Sequence, residues 1–435
     1  MRTTDNNKGN FVFNDDESYH VENLKKIGNQ KIADIKIEQH PDLLVFPPTL
    51  GQHHDDIQNS SKIFSLHGHK LTTYNIMGFM GINDTQLTIC SRFTKKEDGK
   101  DYFLHYMLQK VFAINIFKFD QTNDKENIWD FLLYLFPYFL KKAFAQGLYK
   151  EYKRNEYNNA NVKGAIDVKR HIRTNLPFAG KIAYSTREYS YDNSITQLIR
   201  HTAEYIKTHK FGNGILTADS DMIAHINQLN YVTPSYNRND RQRILHANNK
   251  PFVHPYFTEY KMLQKICLQI LRYEKMTFGK EKDKIYGVLF DGAWLWEEYL
   301  NTILKDKFTH PENKTGKGKE YLFEENKQPI YPDFISKDKK IIADAKYKHS
   351  ERSNDEYGRE DYYQLIAYMY RFNSLNGFLL FPHAEKSFHE VLKIKETNGY
   401  LTKVGLHIPQ EKNSFDDFKS EISPLETEFS EKITI

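Results

Sequence analysis

Two apolar segments that carry acidic and basic side chains at their ends constrain this chain most. The first, 331–335, reads Tyr-Pro-Asp-Phe-Ile and contains Asp333. The second, 341–348, reads Ile-Ile-Ala-Asp-Ala-Lys-Tyr-Lys and contains Asp344 and Lys346. The polar residues between the segments favour a hairpin turn, so two neighbouring strands are predicted. Side chains alternate along a strand, so Asp344 and Lys346 share a face that Asp333 can reach from its neighbour.

Two carboxylates and one ammonium group at a sheet edge are typical of a site for a hard divalent cation. Asp333 and Asp344 are therefore predicted metal ligands, and Mg²⁺ is the predicted ion, because two carboxylates leave positions for water and phosphate. The ion polarises a phosphoryl oxygen, and Lys346 can hold or activate the attacking water. The pattern resembles the PD-(D/E)xK motif of many nucleases. A lone Asp-x-Lys is more often a solvated strand end.

The elements around the motif favour the nuclease interpretation over a solvated strand end. A helix-like segment upstream offers Glu297 as a further acidic group, and a helix downstream carries Gln364 and Tyr368 on one face. Glu298 competes with Glu297, because neighbouring residues on a helix do not face the same site. The predicted catalytic set is Lys346, Asp333, Asp344, Glu297 and Gln364.

Length and composition limit the class of protein. With 435 residues the chain is long for one domain, and its net charge of +4 neither requires nor excludes nucleic acid. Cys90 and Cys267 have no metal-ligand spacing and fit a reducing compartment. The start of the chain has no apolar signal segment, and the apolar run 131–139 is too short to span a bilayer. We therefore expect a soluble, cytoplasmic protein.

Changes in composition and periodicity predict an α+β multidomain fold. Residues 1–20 are expected to be a flexible tail and 21–95 a β-rich N-terminal domain. Residues 96–250 form a largely helical middle region, and 251–410 a C-terminal α/β nuclease domain of the PD-(D/E)xK type. Residues 411–435 are expected to be an acidic tail. Removal of roughly the first two hundred and fifty residues is expected to leave a domain that folds, with nearby helices covering its sheet.

Several elements of this organisation can be predicted individually. Helical periodicity indicates helices at Ser194–Thr208, 221–230 and 256–273, and Asp192 or Asn193 is a candidate N-cap of the first. The apolar segment 378–381 is predicted to be a further buried strand.

Three blocks in the middle of the chain resemble the McrC family, the nuclease subunits of the McrBC modification-dependent restriction system. The blocks are 147–152 (GLYKEY), 163–168 (KGAIDV) and 187–200, which includes REYSYDN followed by QLIR. A glycine-containing hairpin at 74–89 also resembles that family. The resemblance extends roughly from residue 70 to residue 400.

The resemblance implies an anti-phage restriction subunit that cleaves double-stranded, modified DNA. The partner would be a hexameric McrB-like AAA+ GTPase, on which the N-terminal and middle parts dock and whose hydrolysis they stimulate. GTP would be bound by that partner, since this chain has no GxxxxGK[ST] phosphate loop. By the same resemblance Asp333 and Asp344 are metal ligands and Lys346 is the catalytic lysine, whereas Glu297 and Gln364 are supporting positions.

Two alternatives remain open. The chain could be a GTPase-stimulating scaffold with a vestigial nuclease site, although the intact motif argues against this. It could also be a stand-alone nuclease, such as a junction resolvase, although the long region before the motif favours a docking function.

Overall fold

The computed structural model describes residues 1–30, 43–47, 62–83, 85–93, 101–112, 124–209, 212–276, 285–311, 320–349 and 359–433. The strands of these residues are β1 (Arg2–Thr4), β2 (Phe11–Val12), β3 (Leu43–Phe46), β4 (Phe64–His67), β5 (Lys70–Thr73), β6 (Ile76–Ile82), β7 (Thr85–Cys90), β8 (Glu151–Asn159), β9 (Ala165–Ile166), β10 (Ile182–Ser190), β11 (Ile285–Asp291), β12 (Phe308–Thr309), β13 (Glu320–Tyr321), β14 (Pro329–Ile330), β15 (Phe334–Ser336), β16 (Ile341–Ala345), β17 (Asn376–His383), β18 (Phe388–Lys393) and β19 (Tyr400–His407). The helices are α1 (Ser18–Lys25), α2 (Tyr102–Phe112), α3 (Asp124–Ala145), α4 (Val168–Thr174), α5 (Ser194–Thr208), α6 (Gly212–Leu216), α7 (Ser220–Val232), α8 (Arg241–Ala247), α9 (Tyr260–Met276), α10 (Gly292–Leu304), α11 (Arg359–Phe372) and α12 (Phe415–Lys432).

The chain divides into two compact units that do not follow the predicted domain order. The first combines Met1–Gln121 with Lys280–Ile435, and the second is Thr122–Gly279. The N-terminal β-rich region and the segment with the acidic motif therefore belong to one unit, and the middle of the chain forms the other. A mixed α/β architecture with several sheets agrees with the predicted fold class.

The first sheet of unit one joins strands that are far apart in sequence. Among the described strands its order is β1-β7-β6-β11-β3, so β11 lies between β6 and β3. Gly78 and Gly287 allow β6 and β11 to approach closely: a Cβ on Gly78 would lie 2.2 Å from the Val288 carbonyl oxygen, and one on Gly287 would lie 2.4 Å from that of Phe79. Both glycines also have positive φ, +123° and +153°. The apolar core on this sheet includes residues from both chain segments of the unit, among them Leu43, Met80 and Leu289.

The second sheet of unit one carries the acidic motif. Its order among the described strands is β12-β15-β16-β17-β19-β18, with β16, β17 and β19 parallel and the outer pairs antiparallel. Helix α11 connects the parallel strands β16 and β17 and packs its buried Leu365, Tyr368 and Met369 against Ile342 and Leu379. The predicted strand at 378–381 is confirmed as part of β17. The crossover places the start of α11 at the carboxyl end of β16.

Unit two is largely helical and contains the small sheet β8-β10-β9. The predicted helix Ser194–Thr208 is confirmed as α5. Asn193 is its N-cap, and its side-chain oxygen accepts hydrogen bonds from the backbone N–H groups of Ile195 and Thr196 at 3.1 and 3.2 Å. The prediction at 221–230 is confirmed within α7 and the one at 256–273 overlaps α9.

Both predicted tails are instead part of unit one. Within 1–20, strand β1 pairs with β7, and the fully buried Asp5 accepts a hydrogen bond from Arg92 Nε at 2.7 Å. Within 411–435, helix α12 buries Phe418, Ile422 and Phe429. These segments were predicted to be tails because most of their residues are polar. Only a few of their residues are buried, and these are too few to change the average composition. A few buried residues are enough to attach a short strand or one face of a helix to the rest of the unit.

Helix α9 belongs to unit two, whereas the sheet that carries the acidic motif belongs to unit one. The sequence predicts that residues after about 250 fold alone, but β11 of that fragment lies in a sheet whose other described strands all precede it in sequence. No described helix is long and apolar enough to cross a membrane.

Candidate active site

The hairpin of β15 and β16 forms as the sequence predicts. Its antiparallel register pairs Phe334 with Ala343 and Ile335 with Ile342. The turn is closed by Ser336, whose hydroxyl donates to Asp338 Oδ1 at 2.6 Å and accepts from the Ile341 N–H at 2.9 Å. This register places Asp333, just before β15, beside the end of β16 where Asp344 lies.

The two motif carboxylates lie close together at this edge. Asp333 Oδ2 accepts a hydrogen bond from the backbone N–H of Ala345 at 2.8 Å, which fixes its side chain against β16. Asp344 is only 2% exposed. Burial, followed by the charges of Glu297 and Asp344, raises the pKa of Asp333 well above its usual range, and Lys346 opposes this only in part. The ionised form of Asp333 is therefore disfavoured by burial and by the two neighbouring carboxylates.

Glu297 is delivered to the site by helix α10. The N-cap of this helix is Asp291, whose carboxylate accepts from the Ala293 N–H at 2.9 Å. Trp296 donates its indole N–H to the carbonyl oxygen of Leu380 on β17 at 3.2 Å, which fixes the helix against the sheet. Glu297 itself is 4% exposed, and its charge acts on Asp333.

Lys346 connects the carboxylates to helix α11. Its Nζ contacts Asp344 Oδ2 and donates to Gln364 Oε1 at 2.9 Å. Gln364 Nε2 in turn donates to the hydroxyl of Tyr368 at 2.7 Å. Burial disfavours the ammonium form, but the charges of Asp344, Asp361 and Asp333 prevail and raise the pKa of Lys346 above its ordinary value. All five residues predicted from the sequence thus lie at this one edge.

His310 was not predicted and lies among the acidic residues. Its Nδ1–H donates to the backbone carbonyl oxygen of Asp333 at 2.8 Å, and its Nε2 is 3.6 Å from Glu297 Oε1 and 3.7 Å from Glu298 Oε1. Burial opposes protonation, but Glu298 and Glu297 raise its pKa to about 9. Glu297 and Glu298 were expected to compete for the site, but both lie near His310. Of the two, Glu297 is the one whose charge contributes to the raised pKa of Asp333. No sequence pattern marks this histidine.

Asp361 was also missed, although a sequence signal existed. It lies three residues before Gln364 and therefore on the same face of α11. One oxygen is 3.6 Å from Lys346 Nζ, and the other forms an ion pair with Lys348.

Tyr347 points away from the carboxylates and fixes the motif to the first sheet. Its hydroxyl is 3.0 Å from Ser91 Oγ, a residue 256 positions earlier in the chain, and 3.1 Å from Met77 Sδ. The guanidinium of Arg92 lies 4.9 Å from the ring centre. A Cβ on Gly292 would come within 2.7 Å of the ring, so glycine is needed there. The strand end that carries Lys346 is thus held by residues of the N-terminal region.

The donor chemistry of the site fits a hard divalent cation. Among the described residues, no three His, Cys, Asp or Glu side chains are grouped so as to hold a metal ion. Mg²⁺, however, commonly takes one or two protein carboxylates and completes its shell with water and phosphate. Asp333 and Asp344 supply such oxygens, and Glu297 adds a further negative charge that acts on Asp333. The residues present therefore fit Mg²⁺ without a closed protein cage.

Comparisons with known proteins place these observations in a family context. A family model described as "McrBC 5-methylcytosine restriction system component" matches residues 71–382, which include every residue of the site described above. No curated protein matches. Two solved structures are similar at 13% identity. One is a half-complex from a tetradecameric assembly of Thermococcus gammatolerans McrB AAA+ hexamers with bound McrC, with a TM-score of 0.44 and coverage of 94% of this chain and 92% of that chain. The other is the Thermococcus gammatolerans McrBC complex, with a TM-score of 0.30 and coverage of 66% and 78%.

Proposed function

The chain belongs to the family of McrBC 5-methylcytosine restriction system components, and we propose that it is the nuclease subunit, the counterpart of McrC. In this proposal it cleaves double-stranded, modified DNA by metal-dependent phosphodiester hydrolysis, in complex with an McrB-like AAA+ GTPase. The observation that carries the proposal is the convergence of Asp333, Asp344, Glu297 and Lys346 at one sheet edge. A vestigial site would not be expected to keep mutually repelling buried carboxylates, because their proximity is costly without a cation or substrate.

Each residue has a role in this proposal. Asp333 and Asp344 would hold Mg²⁺, which would polarise the scissile phosphate and lower the pKa of bound water. Lys346, held by Asp344 and Gln364, places a positive charge where the phosphate gains negative charge and can orient the attacking water. Hydrolysis forms a bond from the water oxygen to phosphorus and breaks one ester bond, and the leaving oxygen takes up a proton. His310 holds the backbone of Asp333 in place by its hydrogen bond to the Asp333 carbonyl oxygen.

Unit two is the proposed region of contact with the GTPase. Three large side chains of this unit are exposed: Tyr152 of β8 is 62% exposed, Tyr189 of β10 is 57% exposed, and Phe178, which precedes β10, is 62% exposed. Exposed apolar groups of this size are typical of protein interaction surfaces. GTP is assigned to the partner, and stimulation of its hydrolysis is assigned to this unit.

The proposal predicts that cleavage depends on the partner. The purified chain with Mg²⁺ is expected to cut methylated DNA slowly or not at all, because a net charge of +4 provides weak attraction to DNA. Addition of the partner GTPase and GTP should start cleavage, and GTP omission or EDTA should stop it. The measurement is the appearance of cut linear DNA over time. Robust GTP-independent cutting by the chain alone would indicate a stand-alone nuclease instead.

Lys346→Ala is expected to separate cleavage from GTPase stimulation. The ammonium lies at the carboxylates of unit one, so its loss should lower cleavage by roughly 10²-fold or more, as for other electrostatic catalytic groups. Partner GTP turnover should remain at the wild-type level. Lys337→Ala, on the exposed turn of the same hairpin, is the matched control and should keep both activities. A folded, partner-bound Lys346→Ala protein that fails to stimulate GTP turnover would refute the separation.

A further inference from the structure

Asp361 is a buried carboxylate that contacts two lysines of the motif at once. It lies in the first turn of α11 and is 9% exposed. Its Oδ2 forms a direct ion pair with Lys348 Nζ, and its Oδ1 is 3.6 Å from Lys346 Nζ. A partly buried ion pair often gives little net stability, because desolvation of the carboxylate offsets the attraction. A role in holding the two lysines therefore explains the arrangement better than stability does.

The backbone after β16 directs both lysines toward α11. Lys346 and Lys348 are two residues apart, and Tyr347 between them points the other way, into contacts with Ser91 and Met77. The N–H of Lys346 donates to the Leu380 carbonyl oxygen on β17 at 2.8 Å, which fixes the strand end. Both ammonium groups are thus delivered from a rigid backbone to the same carboxylate.

The two lysines differ in access to solvent. The side chain of Lys346 is 16% exposed and is also held by Asp344 and Gln364. That of Lys348 is 39% exposed, with Asp361 as its ion-pair partner in the described structure. Lys346 is therefore confined to the carboxylate cluster, whereas Lys348 can exchange Asp361 for an anion that approaches from solvent.

We propose that Asp361 is the positioning residue of this motif. It holds Lys346 against the reacting phosphate. Until DNA arrives it also keeps the Lys348 side chain extended, and Lys348 then exchanges this carboxylate for a neighbouring phosphate of the DNA backbone. This inference rests on the proposed nuclease function and names a further substrate contact within it. Before DNA arrives, the carboxylate occupies the place at Lys348 that the phosphate takes afterwards.

The two substitutions have different expected effects. Asp361→Asn keeps the side-chain shape but removes the charge that holds Lys346, so kcat should fall roughly 10- to 100-fold, the cost of a small misplacement, whereas the Kd for DNA should stay the same or decrease. Lys348→Ala removes one phosphate contact, so Kd and KM should rise roughly tenfold at 0.1 M salt and the slope of log Kd against log salt should fall by about one.

The experiment uses the full chain with its GTPase partner. Cleavage kinetics at several DNA concentrations give kcat and KM, and fluorescence anisotropy at several salt concentrations gives Kd. Binding is measured on proteins that also carry Asp344→Asn, which prevents cleavage during the titration. The matched control is Glu360→Gln, the exposed neighbour of Asp361 on the same helix turn, which should leave kcat, KM and the salt slope unchanged.

Distinct results overturn the inference. An unchanged kcat for Asp361→Asn would mean that Asp361 does not position Lys346. The same conclusion would follow if kcat and the affinity for DNA fell by the same factor and the melting temperature were lowered. An unchanged salt slope for Lys348→Ala would mean that Lys348 does not contact DNA, and this arm holds even if Asp361→Asn fails to fold. Failure of the proposed function is separate: the wild-type complex itself would then not cleave DNA, whatever the binding data show.

Discussion

Asp344→Asn is expected to abolish DNA cleavage without unfolding the protein. Asparagine has the same shape but loses the charge that faces both Lys346 and the proposed metal ion. Metal-assisted charge stabilisation amounts to several kcal/mol, so the rate should fall by about 10³-fold or more. The fold should survive, because loss of one negative charge lessens the repulsion on Asp333, whose pKa is raised by burial and then by Glu297 and Asp344. Cleavage of methylated DNA with partner, GTP and Mg²⁺ is the measurement.

The control for this prediction lies on the same hairpin. Asp338→Asn changes an acidic residue in the exposed turn between β15 and β16 and should leave cleavage unchanged. Thermal unfolding and partner GTP turnover of both variants report folding and assembly. If purified Asp344→Asn still cuts DNA at a rate near that of the wild type, the assignment of the site is wrong.

A fragment that begins at about residue 251 is expected not to fold, contrary to the expectation from the sequence. Its β11 pairs with β6 on one side and β3 on the other, and both strands would be missing. Ile285 and Leu289 would lose the core they share with Leu43, Ile76 and other N-terminal residues. Each such side chain contributes about 1.5–3 kcal/mol on burial, against a total stability of about 5–15 kcal/mol for a typical domain.

Circular dichroism and urea unfolding of the fragment test this expectation, and no cooperative transition should be seen. The matched deletion follows the compact units instead: it removes 122–279 and joins the remaining halves with a flexible linker. This protein should unfold cooperatively, and it should lose stimulation of the partner GTPase if docking depends on unit two. A cooperative transition in the fragment from residue 251 would show that the first sheet is dispensable for the motif.

The sequence predicted the motif hairpin because every interaction that forms it is local. Apolar runs, a polar turn and strand alternation determine that Asp333 and Asp344 meet, and Ser336 closes the turn within a few residues. Helix α5 was predictable for the same reason, since its cap residue Asn193 bonds to N–H groups two and three residues away. Gln364 followed from helix periodicity, and the same periodicity would have found Asp361.

The family resemblance was also visible in the sequence, because it is carried by short blocks of consecutive residues. The match to the McrBC family over 71–382 agrees with it. The domain boundaries were not available in this way. Composition changes along the chain, but a compact unit is defined by which segments pack together, and here the two ends of the chain pack into one unit.

Sequence reasoning therefore identified the residues of the proposed site and the local elements that carry them. The contacts that hold these residues in place became visible only in the folded chain: the hydrogen bond of His310 to the Asp333 carbonyl oxygen, and the contact of Tyr347 with Ser91, 256 positions earlier in the chain. The same holds for β11, which is inserted into a sheet of N-terminal strands. The two groups of contacts differ in the sequence separation of the partners. Strand alternation and helix caps are satisfied by neighbours in the chain, whereas the partner of a strand edge or a buried hydroxyl is selected by the packing of the whole unit.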